Sequence, residues 1–256
     1  MEGVITGIRT TPVKGLRLHE REAVELDHLG VRENRQFCLI DRRGILFNGK
    51  RMPELMAVEA DYDGVSLALT FPDGRRISDE LVDGEPVDAR FFSEPMQVTP
   101  VSEPLSAALS EYSGKELRLV RANPDLSGID RGPSGVVSLM SEASVAHLSE
   151  VAEAEVDPRR FRMLFEADGF EPHAEDSLVG RDVRIGDARV RFNGHIGRCR
   201  VTKMDPETGK PTLETLDAID SYRGHLETTE PLPFGIYGEV LQPGAVRVGD
   251  PVALAA

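Results

Sequence analysis

The chain of 256 residues has no tryptophan, only 5 % aromatic residues and only two cysteines. Cys38 and Cys199 are too few and too far apart to form a disulfide framework. No CxxC pair and no Cys/His set at zinc-finger spacing occurs, which excludes the common structural zinc modules. The Walker A motif and the GxGxxG dinucleotide fingerprint are both missing. No apolar run approaches the ~20 residues of a membrane span, and the opening MEGVITGIRT lacks the apolar stretch of a secretory signal. The expected setting is therefore a reducing cytoplasm, without a membrane partner. Positive charge is also scarce, with 30 Lys and Arg against 44 Asp and Glu and a net charge of −14. That argues against nucleic acid as a partner, since such binding neutralises phosphates with Lys and Arg. It leaves room for a small anionic ligand, because local charge can oppose the global sign.

What is present is a composition 40 % hydrophobic, enough for a sizeable core. The first hundred residues read as strands: Val4–Ile8, Ala23–Leu26, Phe37–Ile40, and a hairpin from Ser66–Thr70 to Arg75–Ser78 about the turn Phe71-Pro72-Asp73-Gly74. Helix is predicted after Ser102, with Pro104 in the first turn and Gly114 as the stop. A second helix is predicted from Ser141 to Val151 and a third near Thr212–Tyr222. Val183–Ile185, Val190–Phe192, Arg200–Met204, Phe234–Leu241, Val246–Val248 and Pro251–Leu254 read as strands. The fold class is a β-rich α+β protein built on barrel-like modules.

Cys199 carries the strongest chemical signal. Arg198, Arg200 and Lys203 flank it, and nearby positive charge favours the thiolate that attacks electrophiles and binds metals. Cys38, between Phe37 and Leu39-Ile40, reads as a buried core thiol. His195 precedes Cys199 by four residues; on one strand that spacing puts the two side chains ~13 Å apart on the same face. A bend would be needed to join them as a nucleophilic pair, and His195 otherwise reads as a local polar residue near the site. Basic residues fall in three groups: Lys14, Arg17, Arg32 and Arg35; Arg159, Arg160 and Arg162; and those around Cys199. Arginine forks suit phosphate or carboxylate. The loop Asp130-Arg131-Gly132-Pro133-Ser134-Gly135 has backbone amides that can cradle an anion, or is a plain turn. Glu171–Ser177 is an acidic turn whose carboxylates would suit acid–base work or a hard metal, or serve the loop alone.

In order along the chain, these stretches resemble the MOSC family, the domain named for the C-terminal part of molybdenum-cofactor sulfurases. Thr11-Pro12-Val13-Lys14-Gly15 and Gly30–Phe37 are similar to the YPVKS and GLRGDRRW pieces of the β-barrel module that often precedes it. Leu139–Ser144, Arg160-Phe161-Arg162, Ala174-Glu175-Asp176-Ser177, Arg198-Cys199 with Thr202, Asp205-Pro206 and Thr208-Gly209, Phe234–Tyr237 and Gly249-Asp250-Pro251 resemble the motifs of the domain itself. The resemblance implies an N-terminal module over 1–100 and a MOSC domain over 101–256. It implies molybdenum cofactor (molybdopterin), with Cys199 as metal ligand or sulfur carrier. Lys14, Gly15, Arg35, Ser134, Gly135, Arg162 and Arg198 take the family's cofactor-binding positions, and Asp176 is a catalytic candidate near the open metal position. Gly15 replaces the family's serine, and Pro133, Leu164 and Ile196 are further departures.

The resemblance implies an oxidoreductase similar to the amidoxime reductases, acting on N-hydroxylated or N- or S-oxygenated small molecules. With no flavin or iron–sulfur motif in the chain, it would draw electrons from a separate partner. The alternatives are a sulfur carrier using a Cys199 persulfide supplied by a donor, and a binding module that has lost the chemistry.

Overall fold

A computed structural model of the chain describes residues 2–92, 94–122 and 132–255. Residues 37–122 build two sheets, while Ala23–Asp27 pairs with Gly30–Val31 and Gly244–Arg247 in a third. One runs Val87–Phe91, Glu94–Ser102, Leu117–Ala122, Phe37–Asp41, Leu46–Phe47; the other is the meander Glu59–Tyr62, Ser66–Thr70, Arg76–Glu80. The predicted turn joins the last two, with Gly74 in the left-handed region at φ 84°. Helix α1 (Glu103–Ser113) packs across these sheets. Ser102 Oγ accepts the Leu105 amide at 3.1 Å, and Gly114 ends the helix at φ 62°. Removing such a cap costs about 1 kcal/mol. The buried face of the helix, Leu105, Ala108 and Leu109, joins Phe37, Leu39, Leu67 and Leu119 in one apolar cluster.

The remaining long strands close a barrel of seven, in the order Phe165–Asp168, Val137–Ser141, Pro233–Gln242, Ala188–Gly197, Asp182–Ile185, Pro251–Leu254 and Glu2–Thr10, with the last paired back to the first. Only Val137–Ser141 and Phe165–Asp168 run parallel. A parallel pair needs a crossover, and helix α2 (Glu142–Val151) lies within it, starting where predicted, with Ser141 Oγ accepting the Ser144 amide. Helix α3 (Thr215–Arg223) begins three residues later than the sequence predicted. Inside the barrel, Ile5, Ile8, Phe165, Val183, Phe192 and Ile236 form one core. Cutting Phe165 to alanine there would cost about 3–5 kcal/mol.

The two halves are interlaced. The chain's first strand belongs to the barrel, and residue 100 falls inside the strand Glu94–Ser102, whose sheet continues beyond α1 into Leu117–Ala122. One expectation is corrected: Arg200–Met204 is no strand, and Arg200–Lys203 forms a short 3-10 helix. The alternating Arg-Val-Thr-Lys pattern mimics a strand. Thr202 closes the turn instead: its amide and hydroxyl both donate to the Cys199 carbonyl, and its hydroxyl meets that of Thr215 at 2.7 Å.

Candidate functional site

Two loops of the N-terminal half are sewn together by backbone bonds. The Lys14 amide donates to Phe37 O at 2.8 Å, the Arg35 amide to Thr11 O at 2.6 Å, and the Thr11 amide to Asn34 Oδ1 at 3.1 Å. They face a short 3-10 helix of the other half, Pro158–Phe161, capped by Asp157 and ended by Arg162. Side chains then cross between the halves. Arg35 Nη2 donates to Arg162 O at 2.7 Å, and Arg162 Nη2 donates to Leu16 O at 2.6 Å.

These loops line a cavity of about 440 Å³, closed on its other side by Ile196, Gly197, Arg198 and Cys199 at the end of the long strand Ala188–Gly197. Six lining residues are basic (Lys14, Arg35, Lys50, Arg160, Arg162, Arg198), and among the described residues one, Glu230, is acidic. Within a chain of net charge −14, this is a concentrated positive spot. Burial, then the charge of Arg35, holds the Lys14 ammonium well below its usual range, and Arg162 and Lys50 push the same way. Burial alone brings Arg35 down to about 10, and burial with Arg35 brings Arg162 down to about 9. Lys14, Arg35 and Arg162 thus raise one another's energy, and an anion placed among them relieves that repulsion. The backbone is strained here too. Arg35, Phe92 and Arg162 line the cavity in the left-handed region at φ 55°, 50° and 54°, a conformation that costs a non-glycine residue roughly 1–3 kcal/mol.

Cys199 is half-buried on the wall of this cavity and precedes the Arg200–Lys203 turn. Two of its charged sequence neighbours have other partners. Arg198 donates from Nε to Phe234 O at 2.8 Å and from Nη1 to Phe161 O at 3.0 Å, Lys203 pairs with Glu214, and Arg200 is exposed. The basic groups of the sequence divide in the same way. Arg17 and Arg159 both grip Glu207, and Arg32 sits on the surface near Asp27. Cys38, by contrast, is 0 % exposed, and burial pushes its thiol far up, as its apolar flanks predicted.

Gly135 lines the cavity, whereas Ser134 is exposed and its carbonyl accepts from Asn193 Nδ2 at 3.0 Å. Asp130 and Arg131 of the same loop lie outside the described residues. Asp176 does not line the cavity. Its Oδ2 accepts from Arg223 Nη2 at 2.5 Å, and its buried Oδ1, without a hydrogen bond, lies 3.8 Å from His195 Nε2. Around them sit His173, whose Nε2 is 3.2 Å from the Tyr222 hydroxyl, and His147, whose ring packs on both. The acidic turn is a 3-10 helix, Ala174–Leu178, and its Glu175 is sealed at the start of α2, accepting from the Ser141 and Ser144 hydroxyls.

The MOSC domain family matches residues 128–253, and the MOSC N-terminal beta barrel domain family matches residues 2–115. The chain is a MOSC-domain protein with its N-terminal barrel. It is 28 % identical over 282 residues to a protein of Xenopus laevis named mitochondrial amidoxime-reducing component 1, covering 98 % of this chain and 81 % of that one. It is 25 % identical over 270 residues to a molybdenum cofactor sulfurase of Danio rerio, covering 91 % of this chain and 31 % of the sulfurase. Among solved structures, the YUAD protein from Bacillus subtilis aligns over 99 % of this chain and 96 % of its own, at 11 % identity and a TM-score of 0.46.

Three of the four departures from the MOSC pattern have local reasons, the side chain of Pro133 lying outside the described part of the structure. Gly15 sits at φ 93° with the Asn48-Gly49 turn against it, a conformation open to glycine and closed to serine without strain. Leu164 is buried in the barrel core and lines the cavity floor, its amide held by Ser138 Oγ at 2.9 Å. Ile196 packs against the cluster of Phe161 and Phe234. Reading the residues missed Lys50, Phe92 and Glu230 as lining residues. Lys50 follows an Asn-Gly turn and carried no distinctive signal. Phe92 carried none either, since it stands in a two-residue hairpin connection without the asparagine or glycine that marks such turns. No helix among the described residues is long and apolar enough to cross a membrane.

Proposed function

We propose that the cavity binds a molybdopterin-type cofactor and that this MOSC protein reduces N-hydroxylated or N- or S-oxygenated small molecules. The observation that carries the reading is one accessible thiol on the wall of a cationic cavity in a strongly acidic chain. The donor set fits the group. Lys14, Arg35 and Arg162 would hold the pterin phosphate, with the backbone of Gly15 and Gly135 close by, and a thiolate at Cys199 suits a soft metal. Arg198, tied to two carbonyls, would brace the wall that presents Cys199. Asp176 would act from behind that wall as a positioning residue, through His195 and the strand that ends beside Cys199. The likeness over nearly the whole chain to proteins named amidoxime-reducing component supports the substrate class.

Reducing an amidoxime breaks its N–O bond, consumes two electrons and two protons, and yields an amidine and water. The molybdenum centre, when bound, supplies the two-electron exchange. The cavity's cations would offset the cofactor's negative charge. Electrons would come from a separate redox protein. The test is molybdenum and pterin content of protein expressed with molybdate, followed by benzamidoxime turnover with an artificial reductant. Stoichiometric metal that Cys199→Ala abolishes, with turnover of at least tenfold over the variant, is the expected result. Metal-loaded protein without turnover overturns it.

The match to a sulfurase over 91 % of this chain favours a second reading, a carrier of sulfur as a Cys199 persulfide. Cyanide-labile sulfur on Cys199 in metal-free protein would select it.

A further inference from the structure

Phe92 breaks three local rules at once. It is the first of the two residues joining the strands Val87–Phe91 and Glu94–Ser102. Tight hairpin turns of this length place asparagine, aspartate or glycine where φ is positive, yet Phe92 holds φ 50°. The residue is 55 % exposed, so burial does not offset the strain. The same ring lines the cavity, with the Lys14 ammonium 5.7 Å from its centroid. A bulky apolar side chain held in a costly conformation, in water, at the mouth of a cationic cavity is the kind of outlier from which function is inferred.

We propose that Phe92 is a specificity residue that stacks on the flat aromatic ring of an aryl N-oxygenated substrate entering the cavity. The proposal rests on the function given above. Phe92 stands at the exposed rim while Lys14, Arg35 and Arg162 are half-buried, so an anionic cofactor group belongs to the inner charges and an uncharged ring to the rim. The Lys14 ammonium, 5.7 Å from the ring centroid, is within cation–π range of one face. Offset stacking on such a ring distinguishes an aryl substrate from an alkyl one of the same head group.

The experiment compares benzamidoxime with acetamidoxime on cofactor-loaded wild type, Phe92→Asn and Phe92→Trp, by steady-state kinetics and by calorimetric binding of each amidoxime to oxidised protein. Phe92→Asn should lower kcat/KM and affinity for benzamidoxime by roughly threefold to tenfold, chiefly through KM, and leave acetamidoxime within about twofold. Phe92→Trp should retain the aryl preference. Pterin and molybdenum content should match wild type, and Phe92→Asn should melt no lower, since asparagine tolerates the left-handed region. Equal losses for both substrates, an unchanged aryl preference, or a loss of pterin overturns the proposal, the last by assigning the ring to the cofactor. Calorimetry separates the two ideas. Wild type that binds benzamidoxime through Phe92 but turns over neither substrate sinks the reductase reading and leaves the stacking site standing. Turnover of both without discrimination does the reverse.

Discussion

Two polar regions lie on opposite sides of the strand Ala188–Gly197 as it ends, and they are built on opposite electrostatic plans. The cavity holds cations that repel one another, with their long side chains partly desolvated. The region behind it pairs Arg223, 4 % exposed, with Asp176, 23 % exposed, and wraps the pair in His195, His173 and Tyr222. The first arrangement stores unfavourable energy that a ligand can release. The second is already balanced, and its charges serve the fold. The same residue type therefore predicts different behaviour on the two sides.

Between the two regions, replacing the arginine behind the wall gives the larger effect on folding. Arg223→Met leaves the Asp176 carboxylate largely buried without its partner and also removes a 2.7 Å bond to Pro233 O. The expected cost is about 3 kcal/mol, toward the low end for a broken buried pair because Asp176 keeps some solvent. Urea unfolding measures it. The double variant with Asp176→Leu should recover most of the loss. If Arg223→Met costs under about 1 kcal/mol, the region is not the balanced one described.

The cavity arginine should behave the other way. Arg162→Met removes a charge that depresses Lys14, at the expense of one bond to Leu16 O. The two terms oppose each other, so stability should move by less than about 1 kcal/mol. Anion affinity should fall roughly tenfold to thirtyfold, read by calorimetric titration of the apo protein with pyrophosphate. A stability loss matching that of Arg223→Met would erase the contrast between the regions.

How much of this was legible in the sequence depends on the range of the interactions. Ser102, Pro104 and Gly114 bracket α1, and Ser141 starts α2, because capping is local chemistry. The Phe71–Gly74 turn was readable for the same reason. Barrel closure was not, since Val4 pairs with Asp168 across the whole molecule. Among site residues, Lys14, Arg35, Arg162 and Cys199 do converge on one cavity, and sequence motifs pointed to them. Where side chains aim could not be read: Arg198 and Lys203 sit beside Cys199 in sequence and bond elsewhere, while Asp176 stands behind the wall. The strand rule applied to His195 and Cys199 also lapsed, because the pairing register shifts between His195 and Gly197 and the strand ends before the thiol.

The smallest effect concerns pH, where one buried basic group in each region shifts in the same direction. Burial, then the charges of Arg223 and His147, lowers His173 to about 3. The unfolded chain, whose histidine titrates near ~6.5, binds a proton first as pH falls. Stability should therefore drop between pH of about 6.5 and about 3, and level off below. Discounted for the ring's partial exposure, the loss assigned to His173 is ~1–2 kcal/mol. Lys14 follows the same rule at the alkaline end: its lowered folded value means that the apo protein gains stability as pH rises toward the usual lysine range. His173→Asn, which keeps a residue at ease at φ 61°, should flatten the acid slope by that amount and leave the alkaline one unchanged. Urea midpoints from pH 4 to pH 10 test both limbs. An acid limb equally steep in the variant would assign the slope to the carboxylates and return His173 to the role of a packing residue.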